Sequence, residues 1–259
     1  MTEGVLYSLF GNSKNLWEEF EVSLNSLRKN NPGIKVCLVT NNKIFPKSFK
    51  NKIETVIQLN DQLHFFKLKV LAFQHSPFQK TVFLDLDTKI NGDITELFEF
   101  LRYYDIAVAP DPLCNWDKED YFVDYFNLQN LNTGVLAYQK NKTTEAFFEK
   151  WIKSFIDQDD SFFLSVPGKS DDQDFFNQAI VDERTSNQFG LKLLILPNTI
   201  YNARFWIWKK LKEDNIRNRV KVFHAHHLPK TQLAAISKKV QFRLKKLFQA
   251  KHLSAIFIL

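Results

Sequence analysis

The chain has 259 residues, of which 44% are hydrophobic, and a formal net charge of +6. This length is enough for a sizeable core, in one large domain or in one domain with an appendage, and the low numbers of Gly (7) and Pro (8) exclude a low-complexity linker or a repeat array. No apolar run approaches the roughly 18 residues that a membrane span needs, and the first residues lack the pattern of a signal peptide.

Short apolar runs and helical patterns alternate through the first 110 residues. Four runs predict strands, at 5–10, 34–40, 81–86 and 106–109, and apolar residues at helical spacing predict helices at 15–29, 65–75 and 94–101. Continuously apolar strands separated by helices predict an α/β fold with a mostly parallel sheet and helices on both faces. In such sheets ligands bind beyond the carboxyl ends of the strands.

The second half of the chain is less regular. Strands are predicted at 133–138, 191–196 and 220–223, and helices at 144–155 and 171–181. The segment from Trp116 to Phe126 is dense in aromatic and acidic residues. Its rings either stack on a bound ligand or belong to the core.

The two cysteines indicate a redox environment. Cys37 lies within an apolar run, and we expect it to be buried. Because Cys37 and Cys114 lack the spacing of a disulfide framework or a zinc site, they fit a reducing compartment, and we predict a cytoplasmic location.

Two carboxylates, Asp85 and Asp87, stand at the end of the apolar run that begins at Thr81. Strand alternation would point both side chains to the same side. Two hard anionic donors on one side suit Mg²⁺ or Mn²⁺, with phosphate oxygens and water completing the shell. The alternative is one aspartate that caps the following turn beside an exposed one, but the position at a strand end favours the metal site.

His224 directly follows the apolar run at 220–223. A neutral imidazole is a good third ligand for Mn²⁺ and a poorer one for Mg²⁺. Lys230, six residues later, adds a cation that can meet a phosphate. Each residue also has a plainer interpretation, as a surface histidine and as one charge of a basic segment.

Two further polar groups are candidates for contacts with the hydroxyl groups of a ligand. The stretch Asp171–Asp174 opens a predicted helix, and its three acids exceed what one helix cap needs. Asn132 and Gly134 enter a predicted strand, where the amide can bond a hydroxyl and the glycine lets the backbone approach a ligand closely. The alternatives are an acidic first turn and an ordinary turn before a strand.

The positive charge is concentrated near the C-terminus. From Leu228 to Leu259 there are seven Lys and Arg residues and no Asp or Glu, and subtracting these seven from +6 leaves about −1 for the rest. Apolar residues at helical spacing predict a basic amphipathic helix over 231–259, appended to a domain at 1–230. It either docks on an anionic membrane surface or packs on the body with a solvated cationic face. Because the body is not basic, nucleic acid is a poor candidate partner.

In their order along the chain, these motifs resemble the family-8 glycosyltransferases, nucleotide-diphospho-sugar transferases with the Rossmann-like GT-A fold. The resemblance covers about residues 5–230. It runs through Lys67-Leu68-Lys69, Leu84–Thr88, Asn132–Val135, Asp172–Asp174, Leu196-Pro197 with Tyr201-Asn202, and His224 with Lys230. Each motif is short, but six in the family's order are hard to obtain by chance.

The resemblance implies a role for each matching residue. For the metal, Mn²⁺ or Mg²⁺, it implies the ligands Asp85, Asp87 and His224. For the donor, a UDP-sugar, it implies contacts from Ser8, Phe10, Lys67, Asp85, Leu86, Asn132 and Lys230. For the transfer step it implies Asp172 and Gln173.

Two features depart from the family. The family has Gly after the His and Pro-Trp after the Lys, whereas this chain has Ala225 and Thr231 at the adjacent positions. The spacing from His224 to Lys230 is kept, and the loop over the diphosphate is expected to close differently. The family has one basic residue ahead of the carboxylate strand, whereas this chain has two lysines there, Lys67 and Lys69, and the role is assigned to Lys67.

The implied reaction is transfer of a hexose to a hydroxyl of a glycan or lipid-linked acceptor, with retention at the anomeric carbon. A double displacement would use Asp172 as nucleophile, whereas a front-face route needs none. The alternatives are a sugar-nucleotide-binding protein of the same fold with weak or no transferase activity, and a nucleotidyltransferase. The latter is disfavoured because the loop after the first strand has one glycine, Gly11.

Overall fold

A computed structural model describes residues 2–43, 46–49, 51–59, 63–111, 131–158 and 172–225. The aromatic segment 116–126, Cys114, Asp171, Lys230 and the helix predicted at 231–259 lie outside these ranges. The strands are β1 (Glu3–Leu9), β2 (Lys35–Thr40), β3 (Thr55–Gln58), β4 (Lys80–Leu84), β5 (Thr88–Ile90), β6 (Ile106–Pro110), β7 (Leu131–Gln139), β8 (Leu193–Ile195), β9 (Ala203–Arg204) and β10 (Val222–His224). The helices are α1 (Lys14–Asn30), α2 (Phe65–Ala72), α3 (Glu96–Phe100), α4 (Lys142–Ile156), α5 (Asp172–Ser186), α6 (Asn198–Tyr201) and α7 (Trp208–Glu213).

Seven strands of the described ranges form a central sheet in the order β3-β2-β1-β4-β7-β6-β8. Strand β1 pairs in parallel with β2 and β4, β2 with β3, and β6 with β8, whereas β7 is antiparallel to both neighbours. The predicted α/β fold with a mostly parallel sheet is therefore confirmed. A second sheet in the same described part has the order β5-β10-β9.

Helices cover both faces of the central sheet. On one face Val5, Tyr7 and Leu9 of β1 pack with buried residues of α1 and α3. On the other face Leu6 and Cys37 pack with α2, α4 and α5. Because both faces are buried, the strands have continuously apolar sequences. Cys37 is fully buried, as predicted. No helix in the described part has both the length and the apolar content that a membrane span requires.

The strand predicted at 81–86 ends earlier than expected. Strand β4 stops at Leu84, and Asp85–Asp87 lie in a tight turn that leads into β5. The Thr88 backbone N–H donates to the Asp85 carbonyl at 3.2 Å and closes this turn. Alternation along a strand is therefore the wrong account of how the two carboxylates come to share a side.

Candidate active site

The turn after β4 places Asp85 and Asp87 at the carboxyl edge of the central sheet. The Asp85 backbone N–H donates to the carbonyl of Gly134 on β7 at 2.8 Å, so the turn is attached to the neighbouring strand. The Asp85 and Asp87 side chains are 24% and 14% exposed. Both carboxylates can therefore reach a ligand from solvent while remaining in a mostly dry environment.

Strand β10 brings His224 to the same place. It pairs with β5 so that His224 lies opposite Thr88. The His224 Nε2 lies 3.1 Å from Asp87 Oδ1 and 3.8 Å from Asp85 Oδ2. One ligand atom from each of the three residues falls within 4.8 Å of the others. The three residues predicted as metal ligands are thus close together, although His224 lies 137 positions after Asp87 in the sequence.

Hydrogen bonds behind His224 set its tautomer. The Asn202 side-chain NH₂ donates to the Pro110 carbonyl at 3.2 Å, which leaves the Asn202 amide oxygen 2.8 Å from His224 Nδ1. An amide oxygen accepts, so Nδ1 donates to Asn202 and Nε2 is the ring nitrogen that faces the aspartates. With Nε2 unprotonated, the imidazole and the two carboxylates would be complementary to a cation, and this mixed O and N donor set suits Mn²⁺.

Gly134 leaves the space that this arrangement needs. A Cβ at position 134 would collide with the His224 imidazole and lie 2.5 Å from Asp85 Oδ2. Real Cβ atoms do not make contacts this short. The glycine thus permits a close approach, as the sequence suggested, and the groups that approach are the chain's own carboxylate and imidazole.

The lysine that faces the aspartates is Lys69. Its Nζ lies 3.0 Å from Asp85 Oδ1 and 3.3 Å from Asp172 Oδ2. Burial lowers the pKa of Lys69, but the carboxylates of Asp172 and Asp85 outweigh it and raise the pKa above its ordinary value. Lys67, the residue predicted at this place, is buried and donates to the Gln158 carbonyl at 2.7 Å.

Asp172 and Gln173 lie in the first turn of α5, beside β7. The Asp172 side chain is 4% exposed and accepts from the Thr133 hydroxyl at 2.6 Å as well as from Lys69. The Gln173 Oε1 accepts from Asn132 Nδ2 at 2.8 Å. The predicted sugar contacts Asn132, Asp172 and Gln173 therefore lie together, and Lys69 joins them to the metal ligands.

An ion pair that the sequence did not reveal supports Asn132. Its Nδ2 also lies 3.4 Å from Asp111 Oδ2, and its Oδ1 accepts from the Gly134 N–H at 3.0 Å. Arg204 on β9 donates to both Asp111 oxygens, at 2.7 and 3.1 Å. Neither role can be read from the sequence, because an isolated arginine and an aspartate after a strand form no motif.

The remaining predicted residues lie around this group or outside the described ranges. Ser8 and Phe10, at the end of β1, are largely buried and stand beside β4, next to the turn that carries the aspartates. Leu86 packs against the core on the α1 face. Lys230 is outside the described residues.

Comparisons with known proteins connect this geometry to one fold. Neither a protein-family model nor a curated protein sequence matches the chain. Among solved structures, the glycosyltransferase GlyE of Streptococcus pneumoniae TIGR4 matches with a TM-score of 0.57 and 18% identity, over 88% of this chain and 55% of that one. Mouse xyloside xylosyltransferase 1 matches with a TM-score of 0.51 and 17% identity, over 86% and 97%. An active-site mutant of LgtC matches with a TM-score of 0.50 and 11% identity, over 93% and 95%.

These likenesses establish the fold. The chain has the GT-A fold of glycosyltransferases, as its motif order predicted. It spans about half the length of the GlyE chain. At these levels of identity a shared fold does not by itself specify the reaction, which has to be argued from the site.

Proposed function

We propose that this chain is a metal-dependent glycosyltransferase, of the family-8 kind, that transfers a hexose from a UDP-sugar to a hydroxyl of a glycan or lipid-linked acceptor with retention. The observation that carries the proposal is the juxtaposition, in a glycosyltransferase fold, of Asp85, Asp87 and His224 with Asp172 across Lys69. Ligands for a metal-bound diphosphate and polar groups for a sugar thus lie side by side at the carboxyl edge of the sheet.

Different residues of the site would have different roles in the transfer. A divalent cation bound by Asp85, Asp87 and His224 would supply positive charge against the departing diphosphate. Lys69 contributes a fixed ammonium on the same side, and Lys230 would add another from the segment that follows His224. Asn202 keeps the imidazole oriented through its hydrogen bond to Nδ1.

The surroundings of Asp172 favour a front-face route. Its carboxylate is nearly inaccessible and both of its oxygens accept hydrogen bonds from Lys69 or Thr133. A carboxylate engaged in this way is a poor nucleophile, because attack would require it to leave its partners. We therefore assign Asp172 to fixing Lys69 and Thr133 beside the donor sugar, with Gln173 as the contact to that sugar, and not to a covalent intermediate.

The basic segment 231–259 completes the proposal. Its charge and apolar spacing support docking on an anionic membrane surface, which would make the chain a peripheral protein on the cytoplasmic face. A lipid-linked acceptor would meet the active site there.

The test is release of UDP from a panel of UDP-sugars with and without Mn²⁺. We expect the double variant Asp85→Ala, Asp87→Ala to lose activity by about 100-fold or more, because the divalent cation that would oppose the charge on the leaving group is then lost. The matched control is Glu145→Ala, Glu149→Ala, which removes two exposed acids from α4. If the aspartate variant released UDP at the wild-type rate in Mn²⁺, the metal assignment would be wrong. Mn²⁺-dependent binding of UDP-sugars without release would favour the binding-protein alternative.

A further inference from the structure

Helix α1 attaches the short strand β5 through polar side chains. Ser23, Ser26 and Asn30 recur at i, i+3 and i+7 on one helix face. Ser26 Oγ accepts from the Ile90 N–H at 2.8 Å, and Asn30 Nδ2 donates to the Ile90 carbonyl at 2.9 Å. Since β5 in turn pairs with β10, the position of α1 bears on where His224 lies.

A chain of three buried hydroxyls continues from this face to the metal-ligand turn. The Tyr7 OH lies 2.9 Å from Ser23 Oγ, and Ser23 Oγ lies 2.9 Å from Thr88 Oγ1. Thr88 Oγ1 is 2.7 Å from the carbonyl oxygen of Asp85. These hydrogen-bonded hydroxyls therefore connect the core on the α1 face to the backbone of a proposed metal ligand.

The direction of every hydrogen bond in the chain follows from its last member. A carbonyl oxygen accepts, so Thr88 donates its one hydroxyl proton to Asp85. Ser23 must then donate to Thr88, and Tyr7 to Ser23. Burial raises the pKa of Tyr7 above its ordinary value, so the phenol keeps the proton that begins the chain.

The row of hydroxyls is shielded from water, which strengthens its hydrogen bonds. Tyr7, Ser23 and Thr88 are all fully buried. Hydrogen bonds aligned in one direction polarise one another in a low dielectric, and a broken member would leave a buried group unsatisfied. Removal of any one of these hydroxyls is therefore expected to change the position of Asp85.

We propose that Tyr7, Ser23 and Thr88 are positioning residues that set the geometry of the metal ligands Asp85 and His224. Thr88 acts on both, because its hydroxyl binds the Asp85 carbonyl and its backbone lies opposite His224 in the β5–β10 pair. The inference rests on the proposed function, in that it requires the three-ligand group to bind a divalent cation. Partners one step removed from metal ligands commonly tune affinity by orienting those ligands.

The experiment measures the Kd for Mn²⁺ alone on the full chain, from the electron paramagnetic resonance signal of free Mn²⁺. We expect Thr88→Val to raise the Kd about tenfold and Tyr7→Phe about threefold, while Thr88→Ser, which restores the hydroxyl, stays near the wild-type value. The matched control is Tyr138→Phe. Tyr138 is also a buried tyrosine of the central sheet, but its hydroxyl donates to the Phe73 carbonyl on the opposite face.

The outcomes separate the inference from the proposed function. If the wild-type chain binds Mn²⁺ and the Tyr7→Phe and Thr88→Val variants bind it equally well, the positioning role is overturned and the metal site stands. An equal loss in Tyr7→Phe and Tyr138→Phe would also overturn it, since general loosening of the core would then explain both. If the wild-type chain does not bind Mn²⁺, the metal site itself fails and the inference falls with it. Tyr7→Phe deletes one oxygen, so it carries the test even if Thr88→Val does not fold.

Discussion

At the scale of single residues, Lys69 joins the two halves of the proposed site. Its ammonium contacts Asp85 on the metal side and Asp172 on the sugar side. Without it, two carboxylates would face each other across a largely dry space, which is unfavourable. A positive charge in that place also opposes the charge that develops on a diphosphate leaving group.

We expect Lys69→Ala to lower UDP release by about 100-fold, because a fixed cation beside the leaving group is lost. Lys67→Ala is the matched control, two residues away on the same helix, and its activity is expected to stay within about threefold of wild type since its amino group is bound to the Gln158 carbonyl. Steady-state rates with Mn²⁺ and saturating UDP-sugar make the comparison. Greater loss in Lys67→Ala than in Lys69→Ala would restore Lys67 as the donor contact.

The assignment of Asp172 can be tested by chemical rescue. Asp172→Ala should reduce transfer strongly, and added azide should not restore turnover, because in a front-face reaction the wild-type chain forms no bond from Asp172 to the sugar. Product analysis would look for a glycosyl azide. A glycosyl azide of anomeric configuration opposite to the donor would identify Asp172 as a nucleophile and exclude the front-face route.

At the scale of elements, the site depends on the close approach of the Asp85 turn and strand β10 to strand β7. Only a glycine on β7 leaves enough space for this approach. Gly134 lies on β7, and the Asp85 turn and β10 both approach it. The arrangement is therefore set by packing between elements, and a single methyl group at position 134 would separate the carboxylate from the imidazole.

Gly134→Ala is expected to weaken Mn²⁺ binding by more than about tenfold and to lower the free energy of unfolding by about 1–3 kcal/mol, since overpacking forces neighbours to shift. Gly33→Ala is the matched control, because a Cβ there meets nothing within 4 Å. Mn²⁺ titration and urea unfolding of both variants supply the measurements. Unchanged Mn²⁺ affinity in Gly134→Ala would argue against the three-ligand group.

The sequence predicts the parts of the site that lie in short local patterns. Asp85 and Asp87 follow a continuous apolar run, and His224 follows another, so their places at strand ends were accessible without a structure. The choice between Lys67 and Lys69 was not, because α2 is apolar almost all round and its sequence does not fix which side faces the sheet.

Long-range pairing accounts for most of the structure that the sequence alone does not predict. Strands β5 and β9 have three residues and two, too few for a periodic pattern, and exist through their pairing with β10. Arg204 and Asp111 are 93 residues apart and become partners only when the two sheets come together. The hydroxyl chain likewise combines β1, α1 and β5.

At the scale of the whole molecule, charge separates the body from the C-terminal segment. The segment from Leu228 to Leu259 carries seven cations and no acids, whereas the rest of the chain is close to neutral. Attraction to an anionic surface falls with salt, because counterions screen it within about 8–10 Å at physiological ionic strength. The proposed membrane docking should therefore depend on the segment and on salt.

We expect the full chain to sediment with anionic vesicles at low salt. The variant Lys238→Glu, Lys239→Glu, Lys245→Glu, Lys246→Glu is expected to remain in the supernatant. The control makes the same charge change on the body, with Glu at the exposed lysines Lys14, Lys35, Lys142 and Lys212. Equal loss of sedimentation in both variants would show that net charge alone matters. No sedimentation of the wild-type chain would end the membrane proposal.

The pairing of β10 with β5 also bears on the order in which the site is made during synthesis. The turn with Asp85 and Asp87 leaves the ribosome long before His224, and until β10 emerges β5 lacks the strand that it pairs with. The strands β1, β2 and β4 and the aspartate turn are thus translated before residue 224. On the proposed function, metal capture would be a late step, and a ribosome-bound fragment that ends before His224 is expected to bind Mn²⁺ more weakly than the finished protein.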